Sequence, residues 1–419
     1  MVNRIQKLYH EFPTQFWVVV ITSFIDGIGK TMVFPFFALY ITQKFNVGMT
    51  QAGILLGTFS LAGMFGGGIG GALTDKFGRR KLILFGLVFS ALSSILLGVT
   101  NSLVLMFPVS ALIGFIGSIA DPAHGAMIAD ILPESKRSEG FGILRVVGNM
   151  TWIIGPTFAG FVASRSFLAL FITDAIISCI VALIVYRFIK ETKPETDEVH
   201  SEQTIAQSMG GYGAIARNLA FMAFLFSSIV MGIVYMQMYS SLSVFLRDNH
   251  HVNPQGYGLL MTTSAVTVIL FQFWTTTRIK DRPPFQMMAL GAFFYAIGFT
   301  LFGIVGNLPL FALNIVIITI GEMIVVPTSQ VLVARFAPED MRGRYMAVGG
   351  LSWIIPSIIG PGAAGYVLDN YNPNLLWYLG GLLTLVSVIG FYLLHLHFKT
   401  KPQFAPVNSD AQTLSAASD

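Results

Sequence analysis

The sequence predicts an all-α membrane protein of twelve transmembrane helices, arranged as two pseudo-symmetric six-helix bundles. Three observations carry this. Apolar residues make up 54% of the 419 and charged residues only 11%, with a mean hydropathy of +0.70. Soluble domains carry roughly 25% charged residues, so a chain this long and this poor in charge needs lipid as its solvent. Twelve apolar runs each approach the roughly 20 residues that a helix needs to cross a hydrocarbon core about 30 Å thick. The chain also repeats itself at an offset of 205 residues.

The first six runs fall at 14–42, 50–72, 80–99, 103–131, 138–163 and 166–189. Basic Arg4 and Lys7 precede the first, as in a signal peptide. The stretch that follows is far longer than a roughly 7–15-residue signal core, and no small-x-small cleavage site follows it, so it reads as a helix. The second six fall at 218–247, 254–278, 284–305, 308–335, 342–368 and 374–398. With no water to satisfy a lipid-facing backbone, helix is the spanning form. The sequence therefore divides into an N-terminal bundle (1–189), a polar linker (190–217), a C-terminal bundle (218–398) and a tail (399–419) expected to be disordered. The linker carries Glu191, Lys193, Glu195, Asp197, Glu198 and Glu202.

Lys and Arg set the orientation. With the N-terminus in the cytoplasm, that side holds 20 of the 25, the other side three (Lys44, Arg165, Arg247), and Lys30 and Arg145 lie within spans. The positive-inside rule then places both termini in the cytoplasm, and short loops suit a bacterial or archaeal inner membrane. The net charge of +4 is spread over these loops and makes no nucleic-acid face. Cys179 is the single cysteine, which excludes an intramolecular disulfide and a thiolate metal cluster.

The 205-residue offset superimposes Pro122 on Pro327, Arg137 on Arg342, Gly155-Pro156 on Gly360-Pro361 and Gly160 on Gly365. Parallel six-helix repeats are a transporter architecture, with substrate bound near the midplane between the halves. In the short stretch between the second and third runs lies Gly71-Ala-Leu-Thr-Asp75-Lys-Phe-Gly78-Arg79-Arg80-Lys81. Here the chain resembles the major facilitator superfamily, whose G-x-x-x-D-K/R-x-G-R-R/K-R/K signature is matched at every position. The resemblance extends over the whole chain through span count, repeat and linker. It implies the major facilitator fold and a cytoplasmic latch formed by Gly71, Asp75, Gly78, Arg79 and Arg80. Within that latch it implies that Asp75 faces the start of helix eleven near Gly343, and that Arg79 pairs with Asp130. Gly148 and Gly155-Pro156-Thr-Phe-Ala-Gly160 in helix five resemble the glycine-proline motif of the drug/proton antiporter branch, with Ala159 in place of its second glycine. Close helix packing alone explains the same residues.

Gly66 to Gly71 satisfies G-x-G-x-x-G, but no strand precedes it, so it is no dinucleotide site. No nucleophile motif, cofactor fingerprint or metal-ligating spacing occurs; the chain reads as a non-enzyme without cofactor or metal, monomeric, with protons and a small molecule as its ligands.

Ionisable groups inside spans are costly and therefore candidates for function. Asp26 and Lys30 are i,i+4 neighbours on helix one. Helix four carries Asp121 and His124, and helix five carries Arg145 at a depth that suits a pair with Asp121. Asp174 lies in the outer half of helix six. Glu322 in helix ten stands near the midplane with no basic residue at similar depth in its half. An ionised carboxylate there lacks a counter-charge, so a proton is its natural partner; a permanently neutral, hydrogen-bonded Glu is the alternative. Asp26, Asp174 and Glu322 are the candidate proton-coupling acids, Asp121, Arg145, Lys30 and His124 the buried charge set. Tyr235, Gln237, Met238 and Tyr239 in helix seven offer adaptable apolar faces for a substrate.

These features predict a proton-coupled antiporter that exports amphiphilic or apolar molecules by alternating access. An uptake symporter or a lipid flippase on the same scaffold is the first rival. A non-transporting receptor is a remoter one, since it calls for a soluble domain and the longest polar stretch is the linker.

Overall fold

Residues 11–193, 212–338, 341–401 and 404 are described by the computed structural model. Their apolar runs satisfy their own backbones as helices, and twelve of these, among the described residues, are long and apolar enough to cross a membrane. In chain order they are α1 (Thr14–Phe45), α2 (Met49–Phe77), α3 (Arg79–Val99), α4 (Leu103–Ile131), α5 (Glu134–Ala163), α6 (Phe167–Phe188), α7 (Leu219–Met238), α8 (Pro254–Ile279), α9 (Pro284–Phe302), α10 (Leu308–Phe336), α11 (Arg342–Asn370) and α12 (Asn374–Phe398). Side-chain oxygens of Ser102, Ser166, Asn218 and Asn307 accept from the backbone N–H three residues on and so start α4, α6, α7 and α10.

Local chemistry sets the interruptions. Pro35, which lacks an N–H, sits where α1 tightens into a 3-10 turn at Phe34–Phe36. Asn46, in the left-handed region at φ 50°, closes α1 by donating its N–H to Thr42 O. Asp121-Pro122 restarts α4 after a jog at Ala120. Between α2 and α3 the single residue Gly78 turns the chain at φ +92°, a conformation that other residues rarely adopt.

The structure corrects four boundaries. α2 continues to Phe77, five residues beyond the predicted end, so Gly71 to Phe77 is helix rather than loop: charges at the membrane surface can be hydrated without ending a helix. α5 starts at Glu134, directly after Pro133. The predicted seventh run is α7 followed by a separate short helix, Ser241–His250. Residues 212–217 of the predicted linker are helical, whereas Glu195, Asp197, Glu198 and Glu202 lie outside the described residues. In the tail, Phe404 is buried against Phe285, Phe336 and Phe398, with ring centroids 5.3, 4.9 and 4.4 Å away.

Contacts group the chain into two compact units, which do not coincide with its halves. The first comprises Met1–Val199, Tyr239–Ala265 and Pro361–Tyr366; the second comprises His200–Met238, Val266–Gly360 and Val367–Asp419. Within the first, α1, α3, α4 and α6 share an apolar core that includes Phe16, Ile83, Met127 and Val185. Glycine lets segments of the second half join it: a Cβ at Gly53 would overlap the Pro361 carbonyl, and one at Gly160 would stand 3.2 Å from Gly258 Cα. Within the second unit the core is aromatic, with Phe336 in contact with Phe221, Phe224 and Phe285.

Candidate functional site

In the first unit, α1 to α6 enclose a cavity of about 580 Å³. Asp26, Lys30, Asp121, His124 and Asp174 all line it, together with the hydroxyls of Ser90, Ser93, Ser94 and Ser110. Helix spacing puts Lys30 one turn above Asp26, and the ammonium meets the carboxylate at 3.0 Å. Asp26 is buried while much of the Lys30 side chain faces the cavity. Asp174 lies against helix α1 where the chain is bare: a Cβ at Gly29 would overlap its Oδ1. Its other oxygen accepts a hydrogen bond from the Ser94 hydroxyl. Lys30 is the cation that acts on all three carboxylates, Asp26 first, then Asp121 and Asp174. The structure thus gives Asp121 the neighbours Lys30 and Asp26. Arg145, expected to pair with Asp121, is exposed and lies outside the cavity lining.

Glu322 belongs to the second unit, on α10. The Tyr235 hydroxyl hydrogen-bonds its carboxylate, and its Oε2 is buried without a hydrogen-bond partner. Tyr235 stacks on Tyr295 at 5.3 Å and meets Trp353 edge-on at 5.9 Å, so two aromatic rings hold the tyrosine that meets the carboxylate. No charged side chain acts on Glu322 among the described residues. Of the other helix-seven candidates, Gln237 is buried and its amide donates to Ile233 O at 2.7 Å, while Met238 is fully buried. Tyr239 packs on Trp152 at 4.9 Å. None of the four lines the cavity of the first unit.

The Gly71 to Lys81 motif forms a charge network at the α2–α3 turn. Arg79, 9% exposed, pairs with Asp130 at 2.8 Å and more loosely with Asp75 at 3.5 Å. Asp75 is largely exposed, and Gly71 faces open space. Arg80 donates to Tyr186 O at 2.6 Å and lies over that ring. Glu191, not singled out from the sequence beyond its place in the linker, organises the turn. Its Oε1 accepts the backbone N–H groups of Arg79 and Arg80 at the start of α3 at 2.8 and 3.4 Å, and those of Thr192 and Lys193 at 3.0 and 3.1 Å.

On α5, Gly155 and Pro156 are buried where α1 crosses, and a Cβ at Gly155 would overlap Thr31 Oγ1. Thr31 in turn donates to Thr151 O across the crossing at 2.9 Å. Gly148 faces open space. The helix-five motif is thus a packing device at two of its glycines, toward α1 at Gly155 and toward α8 at Gly160.

The model of the Major Facilitator Superfamily matches residues 19–253 and 236–417. The chain is a member of this superfamily. Among its relatives is the "Na(+), Li(+), K(+)/H(+) antiporter" of Planococcus maritimus, 26% identical over 82% of this chain and 87% of that protein. Another is the "Multidrug resistance protein MdtH" of Citrobacter koseri, 21% identical over 89% and 92%. Among solved structures, a POT family transporter in complex with 5-aminolevulinic acid superimposes with a TM-score of 0.77 at 16% identity, covering 93% of this chain and 97% of that one. Likeness at that identity shows the fold: twelve helices of the major facilitator type. This member of the superfamily is an integral membrane transporter of small molecules, and not an enzyme.

Proposed function

We propose that this major facilitator transporter is a proton-coupled antiporter that exports amphiphilic or apolar compounds by alternating access, with Glu322 as the proton carrier. The observation that carries the reading is the setting of Glu322: a buried, unpartnered Oε2, a tyrosine on the carboxylate and, among the described residues, no cation to balance a charge. A proton is then the group that makes the residue neutral, and its arrival or loss changes the cost of burying this part of α10. Asp26 and Asp174 are the weaker candidates, because Lys30 balances the first and Ser94 holds the second. The distribution of Lys and Arg supports an inner-membrane protein with both termini in the cytoplasm, and a relative named for multidrug resistance supports the cargo class.

The relative named as an alkali-cation/proton antiporter favours a second reading, in which the exported species is an inorganic cation. Both are antiport. The sign of proton movement in proteoliposomes tests them together: proton flow opposite to the cargo supports export, and flow in the cargo's direction contradicts it.

A further inference from the structure

The carboxylates of the first unit are not equally engaged. Asp26 is answered by Lys30 at 3.0 Å, and Asp174 by the Ser94 hydroxyl. Asp121 is exposed to the cavity and makes no direct hydrogen bond or ion pair among the described residues. With one lysine among three carboxylates, the cavity has fewer cations than acids, and Asp121 is the acid that has no direct partner among the described residues. The lining also brings five aromatic side chains to the cavity, Phe34, Phe37, Phe59, Phe89 and Trp152.

We propose that this cavity binds an organic ammonium ion, with its charge on Asp121 and its apolar body against these aromatic side chains. Size decides against a bare metal ion: about 580 Å³ falls within the roughly 300–1,000 Å³ of small-molecule sites, whereas an ion needs a close cage of oxygens. Aromatic faces add attraction for a cation. Gly117 lies on the wall, and a Cβ there would meet no atom within 4 Å, so a larger residue at this position fills ligand space.

The site takes its cargo class from the export reading but is tested by binding alone. The full chain, purified in detergent, is titrated with dansylcadaverine, an aromatic primary ammonium, and with its N-acetyl derivative, which keeps the body and loses the charge. The expected result is saturable binding of the charged probe, about tenfold or more weaker after acetylation. Asp121→Asn should abolish that preference, and Gly117→Leu should weaken both probes. Equal affinity of the wild-type chain for the two probes, or a preference that survives in Asp121→Asn, overturns the proposal, and the wild-type comparison stands even if a variant fails to fold. Displacement of the probe by sodium chloride but not by choline chloride at equal ionic strength also overturns it, in favour of an alkali-cation site. Intact binding without proton-driven export would refute the export reading and leave this site standing.

Discussion

Glu191→Ala should loosen the α2–α3 turn without touching a transmembrane segment. The first N–H groups of a helix have no partner within it, and at α3 those of Arg79 and Arg80 are accepted by Glu191 Oε1. Losing a helix-start acceptor costs about 0.5–2 kcal/mol. Glu191 is exposed, so the screened lower half of that range applies, about 1 kcal/mol, or roughly fivefold in a local opening equilibrium. Hydrogen exchange at the Arg79 and Arg80 amides reads this directly and should accelerate by about that factor. Glu191→Gln keeps an acceptor oxygen and loses only the charge–dipole part, so its effect should be smaller. Acid should mimic the alanine variant. Partial burial opposes ionisation of Glu191, but its four backbone donors outweigh this and hold the carboxyl below its ordinary range. A depressed folded-state value means the stabilisation is complete above the unfolded pKa, about 4.3, and is lost as pH falls through the lower folded value. Unchanged exchange at both amides in Glu191→Ala would refute this account of the turn.

Two further outcomes are expected. Gly155→Ala brings a Cβ onto Thr31 Oγ1 and to 3.0 Å from Ile28 O, overpacking that costs about 1–3 kcal/mol. The melting temperature in detergent should fall, and adding Thr31→Ala should restore part of the loss; a variant as stable as wild type would contradict the crossing described. Asp75→Asn removes an exposed partner at 3.5 Å from Arg79, worth about 0–1 kcal/mol. Melting should therefore hold while vesicle transport falls, as the latch resemblance implies; full transport would argue that Asp75 is only a surface charge.

Much of the fold was legible because lipid leaves few choices: run length, the absence of charge and the 205-residue offset fix span number and repeat. Boundaries were less so, since Asp75 and Lys76 look like loop and yet sit on the last turn of α2. At the site, the i,i+4 spacing of Asp26 and Lys30 reveals their pair, as helix geometry dictates contacts within one helix. For Asp121, depth along two helices suggests Arg145 but does not say which way either side chain faces, and the neighbours that the structure gives it are Lys30 and Asp26. Ser94 was missed: a serine in a span is usually bonded to its own helix, and only packing shows otherwise. A cluster such as Ser90, Ser93 and Ser94 on one helix was the available signal. The role of Glu191 was hidden by the 112 residues that separate it from Arg79.

The isolation of Glu322 is tested most directly by comparing Glu322→Gln with Asp26→Asn in proteoliposomes under an imposed proton gradient. Glutamine preserves size and hydrogen bonding while fixing the neutral state. Proton-driven export should collapse in Glu322→Gln, with gradient-free exchange persisting. Asp26→Asn, which leaves Lys30 without its partner at 3.0 Å, should impair expression or stability more than proton coupling. Full proton-driven export by Glu322→Gln, together with its loss in a folded Asp26→Asn, would contradict the account and make Asp26 the carrier.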